Sequence, residues 1–188
     1  MNFKYKTNPY QHQKDALMHS FNKRNYAYFM EMGCGKSKVL LDNMAWLKLQ
    51  NKIDSGIIVA PKGVYRNWEL AEIPKHFLDE VEHEVFTWRA NPNKQQKDDL
   101  TRAVKDRSKF RILLINVEGF ATPKVKKYTE AFIKGSNFLL AVDESTTIKN
   151  HKAKRTKALI SLGRSASYKR ILTGSPVTRS PMDLFSQC

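Results

Sequence analysis

Cysteine is nearly absent from this 188-residue chain, which carries two, Cys34 and Cys188. Two thiols make neither a disulfide framework nor a zinc-ligand set, so no structural metal is implied. Long apolar runs are missing as well. No window approaches the ~20 apolar residues of a spanning helix, and residues 1–6 lack the apolar run of a signal peptide. A soluble, intracellular and cytoplasmic chain with no membrane partner is expected. Acidic residues are sparse, 18 against 33 Lys and Arg, and none occurs between Ser145 and Met182. The formal net charge of +15 and a sequence pI near 9.8 suit a protein that meets a polyanion, nucleic acid before any other. The five histidines show no metal spacing with cysteines or carboxylates and receive no site. A hydrophobic fraction of 41% over this length supports one domain with a real core, spanning 1–188.

Short apolar runs alternate with longer amphipathic stretches, the mark of βαβ units in a mainly parallel sheet, and the fold class is α/β. Strands are expected over residues 26–30, 56–60, 84–88, 111–117, 138–143 and 170–173. Several are Ile, Leu and Val runs, as suits strands covered on both faces. Helices are expected over 11–23, 36–49, 64–78, 95–106, 124–133 and 152–162, with a loop where Asn, Pro, Lys and Gln crowd together at 90–98.

The run 26–30 is followed by Glu31-Met32-Gly33-Cys34-Gly35-Lys36-Ser37 and then by the helix-forming Val39-Leu40-Leu41. Strand, glycine loop and helix stand in the order a phosphate cradle requires. Gly33 and Gly35 permit the tight turn that aims backbone N–H groups at phosphate oxygens, and the helix adds its positive end. Lys36 would reach the β and γ phosphates, and Ser37 would give a hydroxyl to bound magnesium. Cys34 fits between the two glycines as a small space-filling residue. The strict pattern has a further glycine five residues before Gly35, where this chain has Met30. Taken alone, the loop also admits an ordinary turn in a lysine-rich protein.

The apolar run 138–142 stops abruptly at Asp143-Glu144, which places both acids at the carboxyl end of a buried strand. Ligands of open α/β sheets collect at that edge. Asp143 can hold magnesium there, and Glu144 can orient or deprotonate the attacking water. The alternative is a solvated acidic pair, and an upstream phosphate loop weighs against it.

Five segments in order complete the pattern: Pro9-Tyr10-Gln11; Met32 to Ser37; Val59-Ala60-Pro61-Lys62 with Asn67-Trp68; Asp143-Glu144-Ser145-Thr146 with Ile148-Lys149-Asn150; and Leu172-Thr173-Gly174-Ser175-Pro176. They resemble the motifs of Snf-type ATPases within the superfamily 2 helicases, and the resemblance covers residues 9–185. It implies a RecA-like P-loop NTPase lobe, a mainly parallel sheet flanked by helices, with ATP and Mg2+ as cofactors and translocation on duplex or branched DNA. By position it implies that Gln11 contacts adenine, that Gly33, Cys34, Gly35, Lys36 and Ser37 hold phosphate and metal, and that Asp143 and Glu144 are the magnesium and water residues. Pro61, Lys62 and Asn67 correspond to the DNA-facing loop, and Thr173, Gly174 and Ser175 to the loop coupling hydrolysis to movement. The family usually has Ala-His after the acidic pair. Here Ser145-Thr146 stands instead, and a threonine can donate a hydrogen bond but cannot carry charge. The family also implies a second RecA-like lobe, in cis or in trans, whose arginine reaches the γ phosphate. Such a finger is worth about 10³ to 10⁵ in rate.

The acid-free stretch carries Lys149, Lys152, Lys154, Arg155, Lys157, Arg164, Lys169, Arg170 and Arg179. It reads equally as a salt-sensitive DNA surface or as a solvated face or one covered by the second lobe. Trp46, Trp68 and Trp88 have core spacing, with Trp68 beside the DNA-facing loop. Two functions fit: the ATP-binding lobe of a DNA helicase or translocase, or a nucleotide-responsive DNA-binding module without turnover of its own. Asn67-Trp68 and Ile148-Lys149-Asn150 fit the DNA-translocating branch better than an RNA helicase.

Overall fold

The structure, a computed structural model, describes residues 3–144 and 153–174. Its centre is a six-stranded parallel sheet in the order β1-β6-β5-β2-β4-β3. The strands are β1 (Asn25–Phe29), β2 (Ser55–Ala60), β3 (His83–Thr87), β4 (Phe110–Asn116), β5 (Phe138–Asp143) and β6 (Tyr168–Thr173). Every strand expected from the apolar runs is present, displaced by two residues at most. Both central strands, β2 and β5, are buried along their whole length, which is why their sequences run apolar instead of alternating.

Strand pleating divides the core into two layers. Ile58 and Ala60 of β2, Ile112 and Leu114 of β4, and Leu139 and Ala141 of β5 face one layer, which also holds Leu40, Leu41, Met44 and Trp68. Their neighbours Ile57, Val59, Leu113, Ile115, Leu140 and Val142 face the other, with Leu100, Phe132 and Leu159. The first layer is built by α1 (Gln11–Ser20), α2 (Lys36–Leu49), α3 (Tyr65–Asn67) and α4 (Ile73–His76), and the second by α5 (Lys94–Lys105), α6 (Pro123–Ile133) and α7 (Lys154–Ser165). The period of two places Asp143 on the same face as Leu139 and Ala141, the face that α2 covers.

The helix expected over 64–78 is one helical stretch with an interruption. A π-helical turn, Trp68–Glu72, joins α3 to α4. Periodicity does not reveal such a turn, because one extra residue in the ladder leaves the apolar pattern on either side intact.

Two arginines that count toward the basic charge are structural. Arg170, on β6, is 1% exposed. Its Nε donates to Asn43 Oδ1 at 2.9 Å, and its two terminal nitrogens donate to the carbonyls of Ser20, Lys23, Arg24 and Lys169 at 2.8–3.2 Å. It fastens the end of α1 to the sheet by satisfying carbonyls that the helix leaves open. Arg111, on β4, does the same for the other layer, donating to Ala103 O at 2.8 Å and Ser136 Oγ at 2.8 Å. The basic surface expected over 145–182 therefore loses Arg170. Lys154, Lys157 and Arg164 remain exposed on α7, while Lys149, Lys152 and Arg179 lie outside the described residues.

On α2, Lys38 and Asp42 form a buried i, i+4 pair at 2.8 Å, each side chain 4% exposed. Burial raises the Asp42 pKa to about 6, against the opposing hydrogen bond and charge of Lys38. The folded state thus holds the Asp42 proton more tightly than the unfolded chain does. Stability from this group is greatest below about pH 4, declines as pH rises toward about 6, and is flat above. Asp42→Asn should lack this component: in thermal melts from pH 4 to pH 7, the wild type should lose more stability relative to the variant, with a ceiling of about 3 kcal/mol. Parallel pH profiles for the two proteins would contradict it.

Candidate nucleotide-binding site

The expected phosphate loop leaves β1 at the carboxyl edge of the sheet and enters α2. Gly33 and Gly35 both adopt left-handed backbone, with φ of 80° and 78°, the conformation that L side chains resist. Gly35 is also the N-cap of α2 and supplies no side-chain cap, so the unpaired N–H groups of the first helical turn stay available for an anion. A Cβ at Gly35 would overlap Gln13 Nε2.

Lys36 folds back over the loop, its Nζ donating to Met30 O and Glu31 O at 3.0 Å each. Neither partner is a carboxylate, so the ammonium charge is not neutralised by the contacts that hold it. Ser37 is half-buried on the first turn of α2. Cys34 is half-buried too and contributes backbone: its carbonyl accepts from Gln13 Nε2 at 3.1 Å and lies 3.0 Å from His12 Nε2.

The strand order puts β6 between β1 and β5, so the end of β6 separates the loop from the acidic pair. Met30 N donates to Thr173 O at 3.3 Å. Gly174 approaches Met32 closely enough that an added Cβ would lie 3.5 Å from its backbone nitrogen. Thr173 and Gly174 therefore stand where a change at the loop is felt directly, while Ser175 lies outside the described residues.

Asp143 ends β5 at 8% exposure. Its Oδ2 accepts from Trp68 Nε1 at 2.9 Å, and its Oδ1 from the Glu144 amide at 3.0 Å. Burial raises the Asp143 pKa above the usual carboxylate value, and the Glu144 charge adds to this. The Trp68 and Glu144 hydrogen bonds and the Lys36 charge oppose the rise. Glu144 has φ 48°, a left-handed turn that costs a non-glycine residue about 1–2 kcal/mol. The turn ends the strand's extended backbone between the two adjacent acids.

A magnesium nucleotide fits this set. The loop offers an uncapped helix start and an ammonium that, among the described residues, is hydrogen-bonded to no carboxylate. A hard cation takes oxygen ligands such as Ser37 and Asp143, and its charge would offset the cost of burying the Asp143 carboxylate. Pro61, Lys62 and Asn67 follow β2 on the same edge, with Lys62 and Asn67 exposed. Gln11, expected at adenine, is exposed on the first turn of α1 and donates to Asp15 at 2.8 Å. Gln13 is the residue that sequence reasoning missed, 6% exposed and bridging Tyr10 N to the loop. Its position three residues after the N-cap Tyr10, where a Gln side chain reaches back to cap, was the available signal.

The parallel sheet, glycine loop and strand-end carboxylates define a RecA-like lobe of the phosphate-loop class. Comparison with known proteins then places it: the chain belongs to the family of the SNF2-related domain, whose model matches residues 10–187. It is 26% identical over 166 residues to the ATP-dependent helicase FUN30 of Saccharomyces cerevisiae, covering 88% of this chain and 14% of that protein. It is 28% identical over 161 residues to the probable ATP-dependent DNA helicase CHR12 of Arabidopsis thaliana, covering 83% of this chain and 13% of that one. The chain thus spans about a seventh of the length of these relatives. Its fold matches the Sulfolobus solfataricus SWI2/SNF2 ATPase core in complex with dsDNA, with a TM-score of 0.73 at 20% identity over 99% of this chain and 36% of that chain. Among the described residues, no helix is long and apolar enough to cross a membrane.

Proposed function

We propose that residues 1–188 form a single ATP-binding lobe of an ATP-dependent DNA helicase or translocase, working with a second RecA-like lobe in cis or in trans. One observation carries this reading: the uncapped loop with Lys36, the buried Asp143, the adjacent Glu144 and the Thr173-Gly174 strand end all lie at one edge of the sheet. Bound magnesium would neutralise phosphate charge there. The residues of this chain do the rest: Gly33 to Lys36 hold the phosphates, Gln11 meets the adenine, Ser37 and Asp143 hold the metal, and Glu144 orients water and accepts its proton. Lys62 and Asn67, exposed on the same edge, are suited to a DNA backbone, and Thr173 to Ser175 to passing the state of the phosphates onward.

Steady-state ATP turnover with and without duplex DNA tests the reading. Slow turnover that DNA accelerates is expected, and Glu144→Gln should reduce it about 10² to 10⁴-fold, the usual worth of a positioned base, while nucleotide still binds. Binding without turnover under both conditions would instead identify a nucleotide-responsive DNA-binding module.

A further inference from the structure

Trp68 joins the segment after β2 to the strand that carries the acidic pair. Its side chain is 1% exposed, and its Nε1–H donates to Asp143 Oδ2, 75 residues away in the chain. With Oδ1 taken by the Glu144 amide, both oxygens of the carboxylate are oriented. One donor comes from the strand's own end and the other from a separate helical stretch. A buried tryptophan needs some acceptor for its N–H. Here the acceptor is a charged oxygen of the carboxylate suited to magnesium, a stronger and more directional partner than a neutral carbonyl.

The backbone at this point is also unusual. Trp68 opens the π-helical turn between α3 and α4, and isolated π turns concentrate at functional sites because the extra residue redirects side chains. Just before it, Lys62, Arg66 and Asn67 lie in solvent. The far end of the turn is tied down by Asn67 Nδ2 donating to Glu72 at 3.1 Å, and its near end by Glu69 pairing with Arg89 at 3.7 Å. An exposed basic segment and a buried donor thus share one short piece of helix.

We propose that Trp68 is the positioning residue for Asp143, setting its carboxylate for magnesium, and that contact of DNA with residues 61–67 reaches the nucleotide site through this indole. The proposal rests on the nucleotide reading above. Affinity for a non-hydrolysable ATP analogue, measured with magnesium and with EDTA, tests it. Trp68→Phe keeps the ring and removes the N–H. It should cost about 10-fold of the magnesium-dependent gain in affinity, as for a hydrogen bond to a charged group, and leave affinity in EDTA unchanged. In an Asp143→Asn background the same substitution should add no further loss of that gain. A full magnesium-dependent gain in Trp68→Phe would overturn the proposal.

Should that variant not fold, the wild-type indole resonances decide. With three tryptophans in the chain, the Trp68 N–H signal can be assigned by substituting the other two. It should shift on adding analogue with magnesium, shift less with analogue in EDTA, and respond to duplex DNA. A signal indifferent to magnesium overturns the positioning role, and one indifferent to DNA overturns the link to residues 61–67. Failure of the wild type to bind the analogue at all would sink the nucleotide reading itself, an outcome distinct from an unaffected variant.

Discussion

Lys36→Ala is expected to lower ATP affinity by about 100-fold or more, while unfolding stability changes by about 1 kcal/mol or less. The asymmetry comes from what Lys36 touches. Its Nζ holds two backbone carbonyls of the loop, Met30 O and Glu31 O. On truncation, water can reach the exposed Glu31 and the half-buried Met30. Nucleotide phosphate, by contrast, loses a full positive charge at the start of α2, where the helix adds only partial charge. Calorimetric titration of wild type and variant, with circular dichroism melts beside it, measures both halves. A variant with wild-type ATP affinity would remove the phosphate-loop assignment. A variant that unfolded would show Lys36 to be part of the scaffold.

Arg170→Leu should have the opposite profile, a loss of about 2–3 kcal/mol in stability. Leucine fills part of the volume but leaves the buried Asn43 amide oxygen without its donor and strips the guanidinium from the carbonyls of Ser20, Lys23 and Arg24, of which Ser20 O keeps the Lys23 amide and Arg24 O the Lys169 amide. Each unmet buried acceptor costs about 1–3 kcal/mol. Arg170→Lys should recover little, because one ammonium cannot reproduce a planar fork that reaches a strand, a helix end and α2 together. Denaturant unfolding is the measurement. A midpoint close to wild type for Arg170→Leu would mean that the end of α1 is held by other contacts.

The contrast between these two cations shows where sequence reasoning ends. Both belong to the excess of basic residues, and charge alone cannot separate an ammonium waiting for phosphate from a guanidinium that caps a helix inside the core. Strand and helix order was legible because burial on both faces writes continuous apolar runs, as in 138–142, and because Gly33 and Gly35 stand where only glycine turns easily. The candidate-site residues could be listed from order and resemblance. Their connections could not, since Gln13 to Cys34, Met30 to Thr173 and Trp68 to Asp143 pair residues 21, 143 and 75 apart. Trp68 has the core position its spacing predicts, yet its polar edge, invisible to periodicity, is the part that touches the site. The π turn escaped notice for the same reason: apolar spacing records which face is buried, not how the backbone ladder is threaded.

On the proposed reading, one edge of the sheet holds a magnesium nucleotide between the loop and the acidic pair. Diffraction from crystals grown with a non-hydrolysable ATP analogue and manganese tests it most directly, because manganese scatters anomalously and takes the same oxygen ligands as magnesium. The metal peak should lie beside Ser37 Oγ and the Asp143 carboxylate, with the phosphates over Gly33 to Lys36 and the Lys36 ammonium released from Met30 and Glu31. Nucleotide bound away from the loop, or a metal peak remote from both Ser37 and Asp143, would contradict the account.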